Sequence, residues 1–476
     1  MAQRSGVKVR KRKDFSKIPV KIGIPNLIEI QKASYERFMQ REVLSDQRVD
    51  IGLQSAFTSV FPIADYNNTT MIEFIDYSIG EPKYDVQECL ERGMTYAAPL
   101  KIRVRLVIWD KEVKGEAKVL RDVREQEVYI GELPLMTENG TFLVNGTERV
   151  VVSQLQRSPG AAFTHDKGKT HPSGKILYSG RIIPYRGSWL DFDMDAKDIL
   201  YVRIDRRRKL PTTILLKAFI QTEAKETGPR YFIDGRDERV EGDSLDEVVL
   251  RFFYPMEDVF LEDGAFFRRL NPKIHAGIRV PSDLMDSAGK EVLVKEGNKL
   301  TRGALRKVKA EGLESIPYPR EELVGKAVLH DVIDESTGEI LIEQNQLLTE
   351  ETLTAITASG IKELTLLFID NINVLSVMRD TLSLEKVSSP EEAMVEIYRR
   401  LRPGETPTMD TAKLLFENLF TNPKRYDLSP VGRLKINKKL GLKLPLEHRT
   451  LTDQDVVEVI RYLIDLKAGK GVIEDI

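Results

Sequence analysis

The sequence predicts an α+β protein of several domains, strand-rich with peripheral helices and an inserted two-copy α/β repeat. Three observations carry that expectation. Two Asn-Gly pairs, Asn139-Gly140 and Asn145-Gly146, are separated only by Thr141 to Val144, the pattern of closely spaced hairpin turns. A chain of 476 residues is too long for one hydrophobic core, so about three domains are expected. Between 216 and 389 the chain resembles itself at an offset of about 48 residues.

Taken from the N-terminus, Lys8 to Lys13 is a basic run with no apolar stretch behind it, so no secretory signal is predicted. Asn26 and Glu29 have capping-box spacing, and Leu27, Ile30 and Phe38 recur at helical intervals, which places a first helix there. Lys101 to Trp109 alternates charged and apolar residues as a half-buried strand does. Type I′ turns at both Asn-Gly pairs predict a compact β-meander, followed by Val150, Val151 and Val152, Gln154, Arg157 and a Ser158-Pro159-Gly160 turn. In the repeat, Glu291-Val292-Leu293-Val294 matches Glu339-Ile340-Leu341-Ile342, Leu300-Thr301 matches Leu348-Thr349, and Leu305, Val308 and Gly312 match Leu353, Ile356 and Gly360. Each copy reads as strand, Thr-capped helix, glycine stop and strand, and the two halves are expected to bury each other's apolar faces. Thr452 and Asp455 cap a last helix with Val456, Val459, Ile460 and Leu463 on one face and Gly469 at its end.

The 41% hydrophobic content suffices for such cores. Lys plus Arg (72) nearly balances Asp plus Glu (74), a formal charge of −2, so a polyanionic partner has to meet local patches. The single Cys89 excludes an internal disulfide and a cysteine zinc site, which fits a reducing cytoplasm. No apolar run approaches the roughly 20 residues of a membrane span. Asn67, Asn68, Asn139 and Asn145 begin Asn-x-Ser/Thr triplets, which without a secretory signal are not glycosylation sites.

Asp191, Asp193 and Asp195 offer the carboxylate oxygens that Mg²⁺ prefers. On a strand they recur at roughly 7 Å, too far apart for one ion to bind all three, so a solvated acidic face is the reading. Gly168-Lys169-Thr170 and Gly174-Lys175 lack the phosphate-loop spacing, since Phe163 and Lys169 occupy the required glycine positions and Ile176 follows Lys175. His165, His171, His275, His330 and His448 have no metal-ligand spacing. The better case is basic: Arg157, Lys167, Lys169, Lys175, Arg181, Arg186, Arg203 and Arg206 to Lys209 recur between strand-like segments. Such cations neutralise phosphates and release counterions. Trp189, beside Gly187, adds an indole able to stack on a splayed base at about 1–3 kcal/mol.

Longer motifs carry a family resemblance. Gly131-Glu132-Leu133-Pro134-Leu135-Met136-Thr137, Asn145-Gly146-Thr147-Glu148-Arg149-Val150, Arg157-Ser158-Pro159-Gly160 and the run from Arg181-Ile182-Ile183-Pro184 to Asp191-Phe192 resemble the N-terminal part of the bacterial RNA polymerase β subunit. The likeness continues through Tyr84 to Cys89, Arg203 to Arg208, Arg402 to Glu405 and Tyr426 to Arg433. It implies protrusion and lobe domains: 1–148 and 449–476 in the protrusion, 149–215 and 390–448 in the lobe, and 216–389 as a lobe insertion with repeats 277–316 and 325–364. The family activity is DNA-dependent synthesis of RNA, with this segment forming one jaw of the DNA channel. Partners implied are DNA and the β′, α, ω and σ subunits. No membrane and no small-molecule substrate of this segment alone are implied.

Carried over by motif, Arg157 and Trp189 face the non-template strand, and Asp475 and Ile476 begin the same pocket. Lys169, Arg181, Arg186, Arg206, Arg207 and Lys209 are the further nucleic-acid contacts expected. Arg149 and Val152 border the inhibitor pocket, whose main cluster lies beyond this sequence. No catalytic residue or cofactor is expected in the segment; the family's magnesium is held by aspartates of the partner β′. Two other readings stand beside this one: a stand-alone nucleic-acid-binding scaffold without enzymatic activity, and a metal-dependent phosphotransferase built on Asp191, Asp193 and Asp195.

Overall fold

The computed structural model describes residues 26–473 apart from 66–68, 110–119, 226–227, 235–238, 263, 273, 286–291 and 335. The chain divides into two compact units, Met1–Leu155 and Gln156–Ile476. It is a mixed α+β architecture whose sheets are antiparallel throughout.

In the first unit, helices α1 (Glu29–Met39) and α2 (Gly52–Val60) accompany a sheet of order β1-β2-β3-β4, formed by Ile63–Ala64, Thr70–Ile79, Ala97–Trp109 and Leu120–Pro134. The alternation in β3 is realised. Ala98, Leu100 and Ile102 are buried, while Arg103 pairs with Asp76 and Arg105 with Glu125 across neighbouring strands. Such cross-strand pairs are what stabilise a sheet's polar face. The first helix starts as a different cap from the one expected. Asn26 Oδ1 accepts from the Ile28 amide at 3.2 Å, a turn ahead of the helix, and Leu27 and Ile30 are exposed. The helix docks instead through Met39 and Tyr35, whose hydroxyl donates to the Pro134 carbonyl and whose ring meets Phe142 edge-on at 5.2 Å.

A short helix, α3 (Val86–Glu91), buries Cys89. Strands β5 (Phe142–Val144) and β6 (Thr147–Arg149) then form the hairpin of the second Asn-Gly pair, with Asn145 at φ 49° and Gly146 at φ 70°, as a type I′ turn requires. A Cβ on Gly146 would lie 2.6 Å from Gly93 Cα, so glycine is needed twice over. The first pair differs. Only Gly140 takes positive φ, and its amide bonds to Thr137 O at 3.0 Å, so Glu138 and Asn139 form the centre of the turn and Gly140 is the bulge after it.

The second unit is built on a five-stranded meander: β7 (Gly160–His165), β8 (Tyr178–Ile183), β9 (Leu190–Met194), β10 (Leu200–Ile204) and β11 (Leu210–Pro211). One face carries Phe163, Ile182, Leu190, Phe192, Val202 and Ile204 into the main core. The other presents Thr164, Ser179, Arg181, Asp191, Asp193, Tyr201 and Arg203 in register. Helix α4 (Thr212–Phe219) follows, buried on nearly every side; its Lys217 ammonium lies 2.5 Å from Asp246 and 2.6 Å from Glu385.

Beyond it come β12 (Gln221–Lys225), β13 (Gly228–Asp234), β14 (Arg239–Gly242) and α5 (Leu245–Phe253), which still feed the main core through Ile233, Val248 and Val249. Within the second unit, the stretch 256–367 carries hydrophobic clusters of its own, although Ala327, Leu329 and Leu367 join the main core. It begins with the hairpin β15 (Met256–Glu262) and β16 (Ala265–Arg269). Next come β17 (Leu284–Met285), β18 (Val292–Val294), α6 (Arg302–Ala310), β19 (Ser315–Pro317) and α7 (Arg320–Leu323). It ends with β20 (Val332–Ile333), β21 (Ile340–Ile342), α8 (Glu350–Ser359) and β22 (Glu363–Leu367). The sheet order β19-β16-β15-β22 puts the hairpin in the middle and one later strand on each side.

Backbone contacts in this body recur at matching positions. The Gly277 amide bonds to Leu300 O at 2.8 Å and the Gly325 amide to Leu348 O at 2.8 Å; Asp283 accepts from the Glu296 amide and Asp331 from the Gln344 amide, each at 2.6 Å. Thr301 and Thr349 cap their helices. The two helices do not bury each other's apolar faces. Leu305 and Val308 sit in one cluster with Leu284 and Ile316, and Leu353 and Ile356 in another with Val259 and Leu366. Helix α6 packs on β18 and α8 on β21, and the strands that follow them, β19 and β22, lie on opposite sides of the central hairpin, so the two helices enter different clusters.

The chain then returns to the main core with α9 (Val377–Leu382), α10 (Pro390–Leu401), α11 (Met409–Phe420), α12 (Ser429–Leu440) and α13 (Asp453–Lys467). The Thr452 and Asp455 capping box forms, and Val456, Val459, Ile460 and Leu463 are fully buried. This helix packs on β8 and α4. From Leu451 to Leu466 the chain feeds the second unit's core, where α13 lies on β8 beside α12 on β7 and α4 on β10.

Candidate nucleic-acid interface

The outward face of the meander sets the geometry of the basic residues. Asp191 accepts from Arg181 and Asp193 from Arg203, each pair bridging adjacent strands. Asp195 lies just past β9, where its Oδ1 accepts from the amides of Lys197 and Ile199 at 2.9 Å each. The three carboxylates are thus engaged by guanidinium groups and backbone, and alternation holds only for the first two.

Trp189 leads into β9. Its amide donates to Asp205 Oδ1 at 2.8 Å and its carbonyl accepts from the Asp205 amide at 3.0 Å. Asp205 (φ 47°) and Arg206 (φ 59°) form a two-residue turn closed by the Arg207 amide on Ile204 O at 2.9 Å. That turn places the Arg206 guanidinium 5.5 Å from the indole centre, with Arg181 at 5.7 Å. The indole is half-buried and belongs to none of the core clusters, so it is a cation-flanked ring at the surface. The Asp205 lock was not foreseen, although Asp is one of the few residues that tolerates left-handed backbone.

The preceding loop is held from the other side. Gly187 has φ 132°, and a Cβ there would come 2.5 Å from Tyr426 Cδ2. Arg186 exchanges backbone hydrogen bonds with Asp427, at 3.0 and 2.7 Å, and its guanidinium reaches Pro423 O at 3.3 Å, leaving the side chain exposed, with no carboxylate partner among the described residues.

The loop 166–177 is organised by Asp166, whose carboxylate accepts from the amides of Leu177 and Gly168 at 2.9 Å and Thr170 at 3.2 Å. Those backbone donors, Leu177 first, hold its pKa far below the usual carboxylate range. Lys175 spends its charge on Asp198 at 2.6 Å. Lys169 stays exposed at the tip. A cleft of about 590 Å³ runs between this loop and Asp193, Arg203, Arg207 and Lys209.

The structure therefore separates the expected contacts into two groups. Arg181, Arg203 and Lys175 have carboxylate partners; Arg157, Lys169, Arg186, Arg206, Arg207 and Lys209 are exposed and have none among the described residues. Arg149 and Val152 are exposed in the first unit, and Asp475 and Ile476 lie outside the described residues. No group of three or more metal-ligating side chains occurs among the described residues.

A rigid antiparallel sheet that presents unpaired cations around one indole defines a cation-presenting scaffold. The family model for the RNA polymerase beta subunit matches residues 26–423. The chain is 57% identical over 465 residues to the DNA-directed RNA polymerase subunit beta of Geotalea daltonii, and 52% identical over 470 residues to that of Myxococcus xanthus. Each alignment covers 98% of this chain and 32% of the relative, so the chain spans about a third of their length. The chain belongs to the RNA polymerase β-subunit family.

Proposed function

We propose that this chain is the N-terminal part of an RNA polymerase β subunit and forms one jaw of the DNA channel in DNA-dependent RNA synthesis. The unpaired arginines and lysines around Trp189 are the observation that carries this reading. Arg206, Arg207 and Lys209 on one loop, with Arg157, Lys169 and Arg186 on others, meet phosphates; Trp189 stacks on an exposed base. Loops on a rigid sheet give such contacts fixed positions. Residues 1–155 are read as the protrusion and 156–476 as the lobe, with 256–367 as its insertion and 277–316 and 325–364 as two copies of one unit. Bond formation, with its magnesium, is assigned to β′ and the remainder of β, and the α, ω and σ subunits complete a cytoplasmic complex.

The pairing of Asp191 and Asp193 with arginines argues against a phosphotransferase centre here. Fluorescence anisotropy with labelled fork-shaped DNA, repeated across salt concentrations, tests the reading. Affinity falling steeply with salt is expected, without nucleotide incorporation by this chain; salt-independent binding contradicts phosphate contact.

A further inference from the structure

The sheet β19-β16-β15-β22 has two outer edges, and the repeat puts matching positions on them. On the first copy's edge the Leu270 amide bonds to Glu314 O and the Tyr318 amide to Phe266 O, so Pro317, opposite Phe267, turns its backbone nitrogen outward. Proline has no N–H to offer, which closes that edge to a further strand. At the 48-residue offset of the repeat the matching position is Thr365. The Leu261 amide on Lys362 O and the Phe368 amide on Pro255 O set the phase of β22, so Glu363, Thr365 and Leu367 turn their backbone groups away from β15. Residues 327–329 cover part of this edge: the Leu329 amide donates to Thr365 O at 3.0 Å and the Leu367 amide to Ala327 O at 2.9 Å. The cover then stops. In a continued ladder the Leu329 carbonyl would accept from the Thr365 amide; it accepts from Gln344 Nε2 at 2.7 Å instead, and the chain moves off to β20, which pairs with β21 alone among the described residues. The Thr365 amide and the amide and carbonyl of Glu363 are left without partners among the described residues.

A cleft of about 590 Å³ separates this open edge from β20, and Val332, Ile333, Ile361 and Leu364 supply its apolar wall. Asp331 and Asp334 flank β20, and neither has an ion-pair partner among the described residues. Residues 325–364 hold two lysines against eight carboxylates, whereas 277–316 hold eight cations against six, so the open edge belongs to the acidic copy. We propose that the cleft takes an extended, basic segment of another polypeptide, added as a strand between β22 and β20. Its main chain bonds to Glu363 and Thr365. Apolar side chains at alternate positions meet Ile333 and Ile361, and the cationic ones between them answer Asp331 and Asp334. Those carboxylates repel a phosphate backbone, which sets this surface apart from the cations around Trp189. Proline on one edge and a free amide at its counterpart confine strand addition to one side of the module. The inference does not depend on the polymerase reading.

The test is anisotropy titration of a labelled peptide of alternating Lys and Val with the 476-residue chain, with hydrogen exchange followed by mass spectrometry. Binding that weakens as salt rises is expected, with slower exchange across 361–365. Thr365→Pro, which gives the second copy the edge residue of the first, should weaken binding about tenfold, as the loss of one main-chain hydrogen bond dictates. If Thr365→Pro melts below the parent chain, Ile333→Lys is read instead: it changes an exposed side chain and should repel the peptide's lysines to similar effect. Unchanged affinity in the variant that is read overturns the proposal, as does the absence of peptide binding by the parent chain. A fully N-methylated peptide that binds equally well overturns main-chain pairing, and a Glu-Val peptide that binds equally well overturns the basic occupant. Slow exchange across 361–365 before any peptide is added means that the edge is already filled. Self-association of the chain that Thr365→Pro abolishes assigns the edge to a second copy; either result overturns the proposal.

Discussion

Arg433 and Asp455 form an ion pair at 2.5 Å with both side chains at 0% exposure, joining α12 to the N-terminus of α13. The guanidinium also donates to His448 O at 2.7 Å and Thr450 O at 2.6 Å, and the other carboxylate oxygen accepts from the Thr452 amide at 2.9 Å. All three guanidinium nitrogens and both carboxylate oxygens of this pair are hydrogen-bonded, so removing one partner strands the other in the core.

Arg433→Met is accordingly expected to destabilise the chain by about 3–5 kcal/mol, and Asp455→Asn by a similar amount. Urea denaturation of the single variants and the double variant checks this. A double variant far more stable than the sum of the singles is the expected sign of coupling; strict additivity contradicts it.

Trp189→Ala should weaken binding of single-stranded or fork DNA by about 1–3 kcal/mol while leaving the melting temperature nearly unchanged, because the ring lies outside the cores. Arg206→Gln should lower the salt slope without removing the stacking contribution. Anisotropy with the parent chain alongside separates the two. A melting temperature that drops with Trp189→Ala would make the ring a structural element.

Gly187→Ala brings a Cβ to 2.5 Å from Tyr426 Cδ2 in a backbone region that favours glycine. The expected outcome is a loss of stability of about 1–3 kcal/mol. Weaker DNA binding should accompany it, as the 184–189 loop shifts. Calorimetry checks the first, anisotropy the second; a neutral variant in both disproves the close approach.

Asp166 carries a pH signature. Its folded pKa lies below the unfolded value of about 3.9, so its contribution to stability is complete above that value and is lost as pH falls through the lower folded pKa. Stability of the parent chain should therefore fall faster than that of Asp166→Ala on acidification below about pH 4. Parallel acid-side slopes for the two chains would remove the loop-organising role.

Thr301→Ala and Thr349→Ala each delete a side chain that accepts from the amide three residues on. Each is expected to lower stability by about 1 kcal/mol, Thr349 slightly more because its hydroxyl also donates to Thr352 Oγ1 at 3.3 Å. Unequal losses well beyond that difference would count against equivalent roles for the two helices.

Local signals were legible where a residue's own backbone decides the outcome. The Asn145-Gly146 turn, the alternation of Lys101 to Trp109 and the Thr452 cap all follow from φ preference, period and short-range hydrogen bonds. Asn139-Gly140 had the same local signal and a different outcome, because Thr137 and Thr141 pair across it at 2.8 Å and leave room for three residues instead of two. Leu27 and Ile30 had helical spacing, yet the tertiary contact at Tyr35 chose the buried face.

The candidate site divides along the same line. Its residue types, its chain order and the family to which it belongs were readable from motifs such as Arg157-Ser158-Pro159-Gly160 and Arg186-Gly187-Ser188-Trp189. Which cations remain available was decided only when β8, β9 and β10 came into register, neutralising Arg181 and Arg203 and leaving Arg206 beside the indole. The hydrogen bond from Lys435 to Ser158 likewise joins residues 277 positions apart. Charge and turn preference act over a few residues of chain, whereas the pairing that cancels or preserves a charge acts over a few ångströms of space, and folding alone converts one into the other.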